Sequence, residues 1–482
     1  MKTCVKFAAS AVVTTMLMFA SFPANAASPA EALEKGIYNE ETTGNLDEAI
    51  KHYRQVLADA QKTEGLAAQA QYRLGRCLDK QGKKKAAIEA FKTLVRKYPD
   101  QKELVAKAQK MLPGQLELLP APWKSGERLT LTMMLGGGRR IGIIGCAVSA
   151  AKVDGMDVWE MDVRRYVAGG ENAGVSRVVI DQKTNQPIAT EWDHTLLGRT
   201  TAKWSSDKVV ITKTTKDGKE ETKTVEFDSP HYSNDQWMFG FRQLPLKVGY
   251  KVEVPVRVSF TGGNAIGIEI DVTRKELVET PVGKFNCFKV ETNIGQTFWI
   301  ADSKERYLTK FEGGGVEALL TSIDDGKPVQ LKNDKLKLAV TTPAGWFHYA
   351  SSAGNDDASG GFRLIAPHSF IAASVKIRKR SLLSSEERDS AAAWIDSIVQ
   401  TAKDAYKKSS VRGKSRMATE LAGEQAVTLV LDYHASGRAR TTSPTVAIKD
   451  DLAVELVVSS DAGVYDKNAA TLEAIRKSIT VE

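Results

Sequence analysis

The glycine-rich stretch MMLGGGRRIGIIGCAV at residues 133–148 has the composition of a possible phosphate-binding loop. Such a loop needs a strand before the glycines and a helix directly after them, so that the helix N-terminus faces the phosphates. Ile141 stands where the third glycine of G-x-G-x-x-G would fall, and no GK[ST] motif follows. The β-branched residues after the glycines predict another strand instead. We therefore interpret the segment as a glycine turn with close backbone packing, not as a nucleotide site.

The other reactive residue types show no pattern of a catalytic or metal centre. The histidines lack the i, i+4 spacing and the C-x-x-C context of a metal site. They are His52, His194, His231, His348, His368 and His434. The chain also has no G-x-S-x-G or H-E-x-x-H motif and no cysteine signature with an evident histidine partner. The sequence predicts no catalytic residue, no cofactor and no metal, and hence a non-enzymatic protein.

The N-terminus has the three parts of a secretory signal. Two lysines precede an apolar stretch at residues 7–22, and the small-residue triplet ANA follows at 24–26. The apolar stretch is shorter than the roughly 20 residues that span a bilayer, and Pro23 closes it. We expect cleavage near Ala26 and a periplasmic or secreted protein with no transmembrane segment after cleavage.

Charge and cysteine content agree with export. The formal net charge of +8 becomes +6 when the two signal lysines are removed, and this excess fits contact with anionic envelope polymers or lipid headgroups. No base-stacking or zinc-finger pattern indicates nucleic acid as a partner. Cys77, Cys146 and Cys287 remain, an odd number that argues against a disulfide framework. A bridge between Cys146 and Cys287 and buried free thiols are the two alternatives.

Residues 29–113 are rich in alanine, helical in period and internally repeated. The segment GNLDEAIKHYRQVL at 44–57 matches GKKKAAIEAFKTLV at 82–95, with a constant offset of 38 residues. The matched pairs alternate small, large and aromatic side chains, as interlocking antiparallel helices require. They are Ala49 with Ala87, Ile50 with Ile88, Tyr53 with Phe91 and Val56 with Leu94.

This segment resembles the tetratricopeptide repeat family. Leu74-Gly75, Ala87, Phe91 and Pro99 stand at that family's spacings, whereas the first repeat lacks the closing proline. The segment KELVAKAQKML at 102–112 predicts a capping helix. Stacked repeats usually need three or more units to bury a continuous core. We therefore expect the module at 27–114 to contact a protein partner, a second copy of the chain or the chain's own next domain.

From residue 115 to about 325 the apolar period changes to two. The strand VWEMDVRRYV at 158–167 places Trp159, Met161 and Val163 on one face and charged residues on the other. The stretch at 208–227 predicts a hairpin that turns at Asp217-Gly218. Residues 115–328 therefore predict an antiparallel β-domain curled into a half-barrel or sandwich.

This β-domain resembles the exported bacterial family named domain of unknown function 3108. The resemblance rests on WKSGERLTLTMML at 123–135, RQLPLKVG at 242–249, VETPVGKFNCFKVE at 278–291 and TFWIADSKERYLTKF at 297–311. It implies a curved antiparallel domain and an envelope location. The family offers no assigned catalytic residues to carry over.

Residues 329–482 predict a third domain, an α/β sandwich. A strand at FIAASVKIRKR is followed by a helix from about Ser385 to Tyr406, two further strand segments and a final helix from Asp466 to Ser478. The opening KLKLAVTTPAGWFHY and the closing AATLEAIRKSITV resemble the PsbP-like fold. The fold class is thus multidomain α+β, with helical repeats, a central β-domain and a PsbP-like C-terminal domain.

Two sets of side chains are candidate binding surfaces. A curved sheet lined with tryptophans can hold an acyl chain or stack on a sugar, although core packing explains the same rings. The candidates are Trp159, Trp192, Trp204 and Trp299. In the third domain Lys376, Arg378 and Arg380 alternate with apolar residues, so one strand face carries three cations. That face is either simply solvated or contacts an anionic polymer.

Three functions of different classes fit these features. The first is an exported non-enzymatic envelope protein, a scaffold or binding module whose helical repeats mediate protein contacts. The second is a periplasmic carrier whose β-domain shelters a lipid or other apolar ligand. The third is a hydrolase of envelope polymers. A filled interior in residues 115–325 would favour the scaffold, and a continuous open apolar cavity would favour the carrier.

Overall fold

The computed structural model divides the chain into two compact units, Met1–Pro113 and Gly114–Glu482. It describes residues 28–58, 63–112, 116–136, 138–168, 173–215, 218–227, 231–351, 358–406, 408–413, 416–435 and 438–482. The signal segment expected at residues 1–26 lies outside the described residues. Within the described ranges, no helix is both long enough and apolar enough to cross a membrane.

The first unit is helical, as predicted from its period. Its helices are α1 (Pro29–Tyr38), α2 (Leu46–Ala58), α3 (Glu64–Lys80), α4 (Lys84–Lys97) and α5 (Lys102–Met111). Helices α1 and α2 pack together as one hairpin, α3 and α4 pack as a second, and α5 packs on α4. Their apolar faces meet in one core that includes Tyr53 and Phe91. This arrangement confirms the antiparallel helical repeats.

A glycine facing an aromatic ring defines each hairpin. A Cβ atom on Gly36 would lie 2.5 Å from Cε1 of Tyr53, and one on Gly75 would lie 2.6 Å from Cε1 of Phe91. The first pair is separated by one residue more than the second. A π-helical turn at Asn39–Thr43 follows α1 and takes up that extra residue, because a π-turn contains one residue more than an α-turn. The first repeat therefore keeps the packing of the second.

The β-domain of the second unit is one sheet of fifteen strands. Its strands are β1 (Arg128–Leu135), β2 (Arg139–Val153), β3 (Met156–Val167), β4 (Ala173–Asp181), β5 (Pro187–His194), β6 (Gly198–Trp204), β7 (Lys208–Thr214), β8 (Glu220–Glu226), β9 (Tyr232–Ser233), β10 (Lys251–Val258), β11 (Asn264–Thr280), β12 (Gly283–Thr292), β13 (Thr297–Ala301), β14 (Leu308–Gly313) and β15 (Val316–Asp324). A short helix α6 (Trp237–Gly240) lies between β9 and β10. The strand order runs β8 to β1, then β15 to β9, and only the β9–β10 pair is parallel.

The glycine-rich stretch is a turn between two antiparallel strands, as predicted. Strand β2 pairs with both β1 and β3, and no helix begins behind Gly142. A Cβ atom on Gly142 would collide with the carbonyl oxygen of Tyr166 on β3, so glycine is required by close backbone approach. The antiparallel pairing of β7 with β8 likewise confirms the hairpin at 208–227, although Asp217 lies outside the described residues.

The sheet is strongly curved, because one of its faces forms a single core that draws side chains from β1 to β4 and from β10 to β15. The curvature also brings the β5–β8 region to the turn that follows β10. Trp192 stacks on Phe260 with 4.8 Å between ring centroids, and Lys223 Nζ donates to the carbonyl oxygen of Gly262 at 3.1 Å. The expected curled antiparallel domain is therefore present.

The C-terminal domain combines a three-stranded and a nine-stranded antiparallel sheet with helices. Its strands are β16 (Gln330–Asn333), β17 (Leu338–Thr341), β18 (Phe347–Ala350), β19 (Ser359–Ile365), β20 (Ile371–Lys379), β21 (Ser410–Val411), β22 (Met417–Leu421), β23 (Glu424–Thr428), β24 (Leu431–Ala435), β25 (Arg438–Lys449), β26 (Leu452–Asp461) and β27 (Thr480–Val481). Its helices are α7 (Ser385–Asp389), α8 (Ala391–Ala405), α9 (Val464–Lys467) and α10 (Ala469–Ser478).

Each helix predicted in this domain is in fact two helices. Ser390 has an extended backbone, with φ of −160°, and its side chain accepts a hydrogen bond from Ala393 N, so it ends α7 and caps α8. Asn468 separates α9 from α10 without capping α10, and its side-chain amide instead donates to the carbonyl oxygen of Val464 at 2.7 Å. A single apolar period runs through both helix pairs, which is why the sequence alone suggested continuous helices.

The C-terminal domain covers the outer face of β2 and its neighbours. Ile143 and Tyr166 of the β-domain pack in one cluster with Phe347, Tyr349 and other residues of the C-terminal domain. A Cβ atom on Gly145 would lie 2.7 Å from the Phe347 ring, so this glycine makes room for the neighbouring domain. Strand β2 is therefore apolar on both faces, and the two domains share one compact unit.

Candidate functional site

Trp192 and Trp204, two of the predicted ligand-facing rings, lie on the neighbouring strands β5 and β6. Trp192 is stacked on His194, with 5.3 Å between centroids, in addition to its contact with Phe260. Trp204 Nε1 donates to Thr190 Oγ1 at 3.2 Å. Both rings are buried against residues of the chain itself.

The other two predicted rings lie elsewhere in the sheet. Trp159 is half-buried against the main core and meets Trp123 edge-on at 6.3 Å between centroids. Trp299 is buried on the opposite face of the sheet, where its indole N–H donates to Glu276 and Lys310 Nζ lies 4.7 Å from its ring centroid. The four tryptophans do not form one surface. Contact of any of them with a ligand stays a prediction.

The three predicted cations of the C-terminal domain all have partners within the chain. Lys376 Nζ lies 3.7 Å from Glu455, and Arg378 lies 4.0 Å from the same carboxylate and 5.1 Å from the Trp394 ring centroid. Arg380 does not lie on the strand as predicted, because β20 ends at Lys379 and Arg380 begins a short 3-10 helix. Its Nε donates to a backbone carbonyl of α7 at 3.0 Å. The strand face is thus partly covered by α7 and α8. Contact with an anionic polymer stays a prediction here as well.

A polar cleft lies between the β-domain and the C-terminal domain. Charged side chains line it, and some of them have unfilled hydrogen-bonding positions. It consists of two adjoining cavities of about 290 Å³ each, which share Asp162, Arg177 and His368. The first cavity is also lined by Val175, Glu191, Asp193, Ser369, Phe370, Asp461 and Val464. We call these two cavities the interdomain cleft.

Register between neighbouring strands places the charged residues of the cleft side by side. Asp162 on β3 is paired with Arg177 on β4, which is paired in turn with Glu191 on β5. Their side chains point away from the main core because alternate residues of β3, such as Met161, point into it. The loop between β19 and β20 brings His368 over this row, with Nδ1 at 3.9 Å from Asp162 Oδ1.

Asp162 is buried with an incomplete set of hydrogen bonds. Burial raises the pKa of its carboxyl group above the ordinary value, against the opposing effects of His368 and Arg177. Arg177 Nε lies 3.3 Å from Asp162 Oδ1, yet that oxygen accepts no hydrogen bond from the described residues. A carboxylate in this condition favours a hydrogen-bond donor from outside the chain.

Arg164, next to Asp162 on the same strand face, is by contrast fully used by the protein. Its guanidinium donates to the carbonyl oxygens of Ala366 at 3.2 Å, Gly174 at 3.2 Å and Ser369 at 3.3 Å. Burial lowers the pKa of Arg164 to about 10. Because Ala366 and Ser369 belong to the C-terminal domain, this side chain ties the two domains together below the cleft.

Two further arginines link the domains at the ends of the cleft. Arg438 bridges Asp193 of the β-domain, at 3.2 Å, and Asp461 of its own domain, at 2.7 Å. Arg128 donates to the carbonyl oxygen of Gly345 at 2.5 Å and lies 3.3 Å from Asp324. These arginine contacts therefore join the two domains that form the sides of the cleft.

The helical unit contains a second buried carboxylate, Glu40, in the π-helical turn. Tyr53 donates its hydroxyl proton to Glu40 at 2.8 Å, Lys80 donates at 2.9 Å and Arg73 at 3.0 Å. Burial alone would raise the pKa of Glu40, but these hydrogen bonds outweigh it, and the pKa lies below the ordinary value. The group joins the first hairpin to α3, and both carboxylate oxygens of Glu40 already accept hydrogen bonds within the chain.

Three cysteines are buried free thiols: Cys77 on α3, Cys146 on β2 and Cys287 on β12. Burial raises the pKa of Cys146 to about 12. The structure thus has the free-thiol alternative and not the bridge between Cys146 and Cys287. In the ranges that the structure describes, no three His, Cys, Asp or Glu side chains meet in a way that could hold a metal ion.

Sequence reasoning treated the charged face of β3 as solvent-exposed and so missed the cleft. Asp162 and Arg164 are buried there because another domain covers them. A signal for this cover was present in β2, where Ile143, Gly145 and Ala147 make the outward face apolar or small. A strand that is apolar on both faces is normally buried on both faces.

Comparisons with known proteins identify two segments of the chain. Residues 39–102 match the family model "Tetratricopeptide repeat", and residues 130–321 match "Protein of unknown function (DUF3108)". No curated protein matches the chain.

Among solved structures, the chain is similar to the cyanobacterial PsbP protein of Synechocystis, with 15% identity over 33% of this chain and 94% of that chain, at a TM-score of 0.25. It is also similar to a putative exported protein with a YmcC-like fold from Bacteroides fragilis, with 13% identity over 43% of this chain and 98% of that chain, at a TM-score of 0.17. TM-scores this low do not establish a common overall fold. The chain thus combines a tetratricopeptide repeat segment with a DUF3108 segment, followed by an α+β C-terminal domain.

Proposed function

We propose that the protein is an exported, non-enzymatic binding protein whose helical unit holds a partner protein. The observation that carries this proposal is the odd number of helices among the described residues of that unit. Helices α1 and α3 each have a hairpin partner, α2 and α4, whereas no helix follows α5 among the described residues of the unit. Because repeats of this kind bury their apolar faces by stacking, the free side of α5 suits a protein contact.

The side chains of α5 support this use of the helix. Ala108 is buried in the core of the unit, and Leu104 and Val105 pack against that core but stay partly exposed. Met111, at the end of α5, is 42% exposed. Tyr38, at the end of α1, is 58% exposed and is the most exposed large apolar side chain of the unit among those described. A partner with an apolar helix face would cover such residues.

The carrier alternative has less support from the packing of the β-domain. The inner face of the curved sheet is filled by aromatic side chains, with Phe241 and Phe298 at 4.1 Å and Phe298 and Phe311 at 5.2 Å between ring centroids. A lipid chain would have to displace these rings. The hydrolase alternative also has less support, since His368 Nδ1 lies 3.9 Å from Asp162 Oδ1 in the cleft, beyond hydrogen-bond distance.

The partner contact is tested by charge substitution on α5 in the full chain. Met111→Glu places a carboxylate on the proposed surface, and Met156→Glu, at the first residue of β3 and at 43% exposure, is a matched control. Cross-linking in cells of the source organism, with quantitative recovery of the same partner, should show at least a roughly tenfold loss for Met111→Glu only, since burying an unpaired carboxylate costs more than about 1.4 kcal/mol. Equal recovery for both variants would refute the contact.

Export is tested separately by cell fractionation and N-terminal sequencing of the mature protein. Cleavage near Ala26 and recovery from the periplasm or the medium are the expected results. Recovery of the full-length chain from the cytoplasm would contradict an exported role and would leave the α5 contact as an independent question.

A further inference from the structure

We propose that the interdomain cleft binds a neutral sugar unit through hydroxyl groups that donate to Asp162 and Asp461. The inference does not depend on the partner of the helical unit, because it concerns only contacts within the second unit. It rests on three properties of the first cavity: acceptors without donors, carboxylates that already have arginine partners, and a mixed polar and apolar lining.

The cavity has two carboxylate oxygens that need donors. Asp162 is only 8% exposed, and its Oδ1 atom accepts no hydrogen bond from the described residues. Asp461 Oδ1 is in the same condition, at 3.5 Å from Arg440 Nε. An ionised carboxylate only accepts hydrogen bonds, so a ligand that completes the site has to donate them. Both aspartates line the first cavity.

The charge balance of the cleft favours a neutral donor over a cation. Every carboxylate around the first cavity has an arginine within ion-pair distance. The pairs are Arg177 with Glu160 at 3.2 Å and Asp162 at 3.3 Å, Arg199 with Glu191 at 2.7 Å, and Arg438 with Asp193 at 3.2 Å and Asp461 at 2.7 Å. Arg164 and Arg440 lie behind the same wall. A bound ammonium group would therefore meet about as much repulsion as attraction, whereas hydroxyl groups avoid that repulsion.

The rest of the lining suits a ligand with both hydroxyl groups and C–H faces. Val175 and Val464 supply apolar contacts, Phe370 adds a ring edge, and Ser369 adds a hydroxyl group. The cavity of about 290 Å³ lies at the lower end of ligand sites, which run from about 300 to 1,000 Å³. Such a site accepts one small ring and not a long acyl chain.

The test uses saturation-transfer NMR on the full chain with three probes: glucose and N-acetylglucosamine as neutral sugars, and putrescine as a cation of similar size. We expect a signal from at least one sugar, a loss of roughly tenfold or more in its apparent affinity on Asp162→Asn, and no response to putrescine. Asp157→Asn is the matched control, because Asp157 lies on the same strand but on its other face, in an exposed pair with Lys152. This control should bind the sugar as the unchanged protein does.

A second variant separates loss of binding from loss of folding. Val464→Phe adds bulk to the cavity lining and keeps both carboxylates. It should abolish the sugar signal while the unfolding midpoint stays within the range of the unchanged protein. Absence of a signal from both sugars would overturn the proposal. So would putrescine binding that depends on Asp162, or sugar binding that both Asp162→Asn and Val464→Phe leave intact.

Discussion

The helical unit and the interdomain cleft each bury one carboxylate, and they treat it in opposite ways. Glu40 in the helical unit accepts hydrogen bonds from Tyr53, Lys80 and Arg73, and its pKa is lowered. Asp162 in the cleft has an oxygen with no donor, and its pKa is raised. Burial acts on both groups in the same direction, so the number of donors decides the difference.

The comparison distinguishes a buried charge that only stabilises the fold from one that can still bind a ligand. A buried anion with complete hydrogen bonds holds elements together, and its removal leaves cations without a partner. A buried anion with an incomplete set costs stability until a ligand supplies the missing donor. Glu40 therefore identifies a joint in the helical unit, and Asp162 identifies a place where stability is given up for binding.

The largest expected effect is the loss of the Glu40 carboxylate. Glu40→Ala leaves the Tyr53 hydroxyl without its acceptor and leaves Arg73 with only Glu41, at 2.8 Å. It should destabilise the helical unit by about 3 kcal/mol, the low end for a broken buried pair because Lys80 is partly exposed. Hydrogen exchange of α1 to α3 in the full chain measures this change. Glu40→Gln should recover part of the loss, since its amide oxygen still accepts from Tyr53.

All tryptophans provide an internal control for that experiment, because every one of them lies beyond residue 114, in the second unit. Unfolding followed by tryptophan fluorescence should therefore stay unchanged in Glu40→Ala. If exchange in α1 to α3 also stayed unchanged, the hydrogen bonds to Glu40 would not be what joins the first hairpin to α3.

The next largest loss of stability is expected from removing one of the hydrogen-bond donors to Glu40. Tyr53→Phe deletes the hydroxyl that donates to Glu40 at 2.8 Å but keeps the ring against Gly36. A hydrogen bond to a charged group contributes about 1.5 to 3 kcal/mol, and two donors remain, so we expect a loss of about 1.5 kcal/mol by the same exchange measurement. A loss as large as that of Glu40→Ala would mean that the Tyr53 hydroxyl alone accounts for the joint, and no loss would mean that the ring, not the hydroxyl, is the important contact.

The fold of each segment was predictable because it follows from periodic patterns. The repeat of Tyr53 and Phe91 at helical spacing predicted the hairpins, and alternation through Trp159, Met161 and Val163 predicted the curved sheet. Both patterns depend on neighbours that are close in sequence. The breaks at Ser390 and Asn468 were missed since each involves a single residue in a continuous apolar period, with a side chain that hydrogen-bonds to nearby backbone.

The cleft was not predictable from the same patterns. Asp162 and Arg164 look like any solvent-facing pair on a strand, and their burial depends on Ala366 and Ser369, some two hundred residues later in the chain. Contacts between residues so far apart in the chain produce no periodic pattern in a single sequence. The apolar outward face of β2 signals that something covers the sheet, yet it does not say which residues line the space between.

Asp162→Asn should increase stability, whereas the substitutions at Glu40 should decrease it. The amide keeps the size of the side chain and removes a charge whose burial is not fully compensated, so the second unit should gain about 1 kcal/mol at neutral pH. Chemical unfolding followed by tryptophan fluorescence measures this gain. Asp157→Asn, an exposed aspartate on the same strand, is the control and should leave the second unit's stability unchanged. A loss of stability in Asp162→Asn would show that Arg177 and His368 fully compensate the charge.

The smallest expected effect is a pH dependence that differs between the two carboxylates. The pKa of Glu40 is lowered, so its contribution is complete above the pKa of an unfolded glutamate and is lost only as the pH falls through the lower folded value. The pKa of Asp162 is raised, so its charge begins to cost stability as the pH rises past the pKa of an unfolded aspartate, and the cost is complete above the raised folded value. As the pH falls from 7 towards the pKa of an unfolded aspartate, the stability difference between Asp162→Asn and the unchanged protein should therefore shrink, by less than about 1 kcal/mol. The difference for Glu40→Gln should stay constant as long as the pH is above the pKa of an unfolded glutamate. Parallel behaviour of the two variants over this range would mean that both carboxylates have their hydrogen bonds complete, and the distinction between joint and binding site would fail.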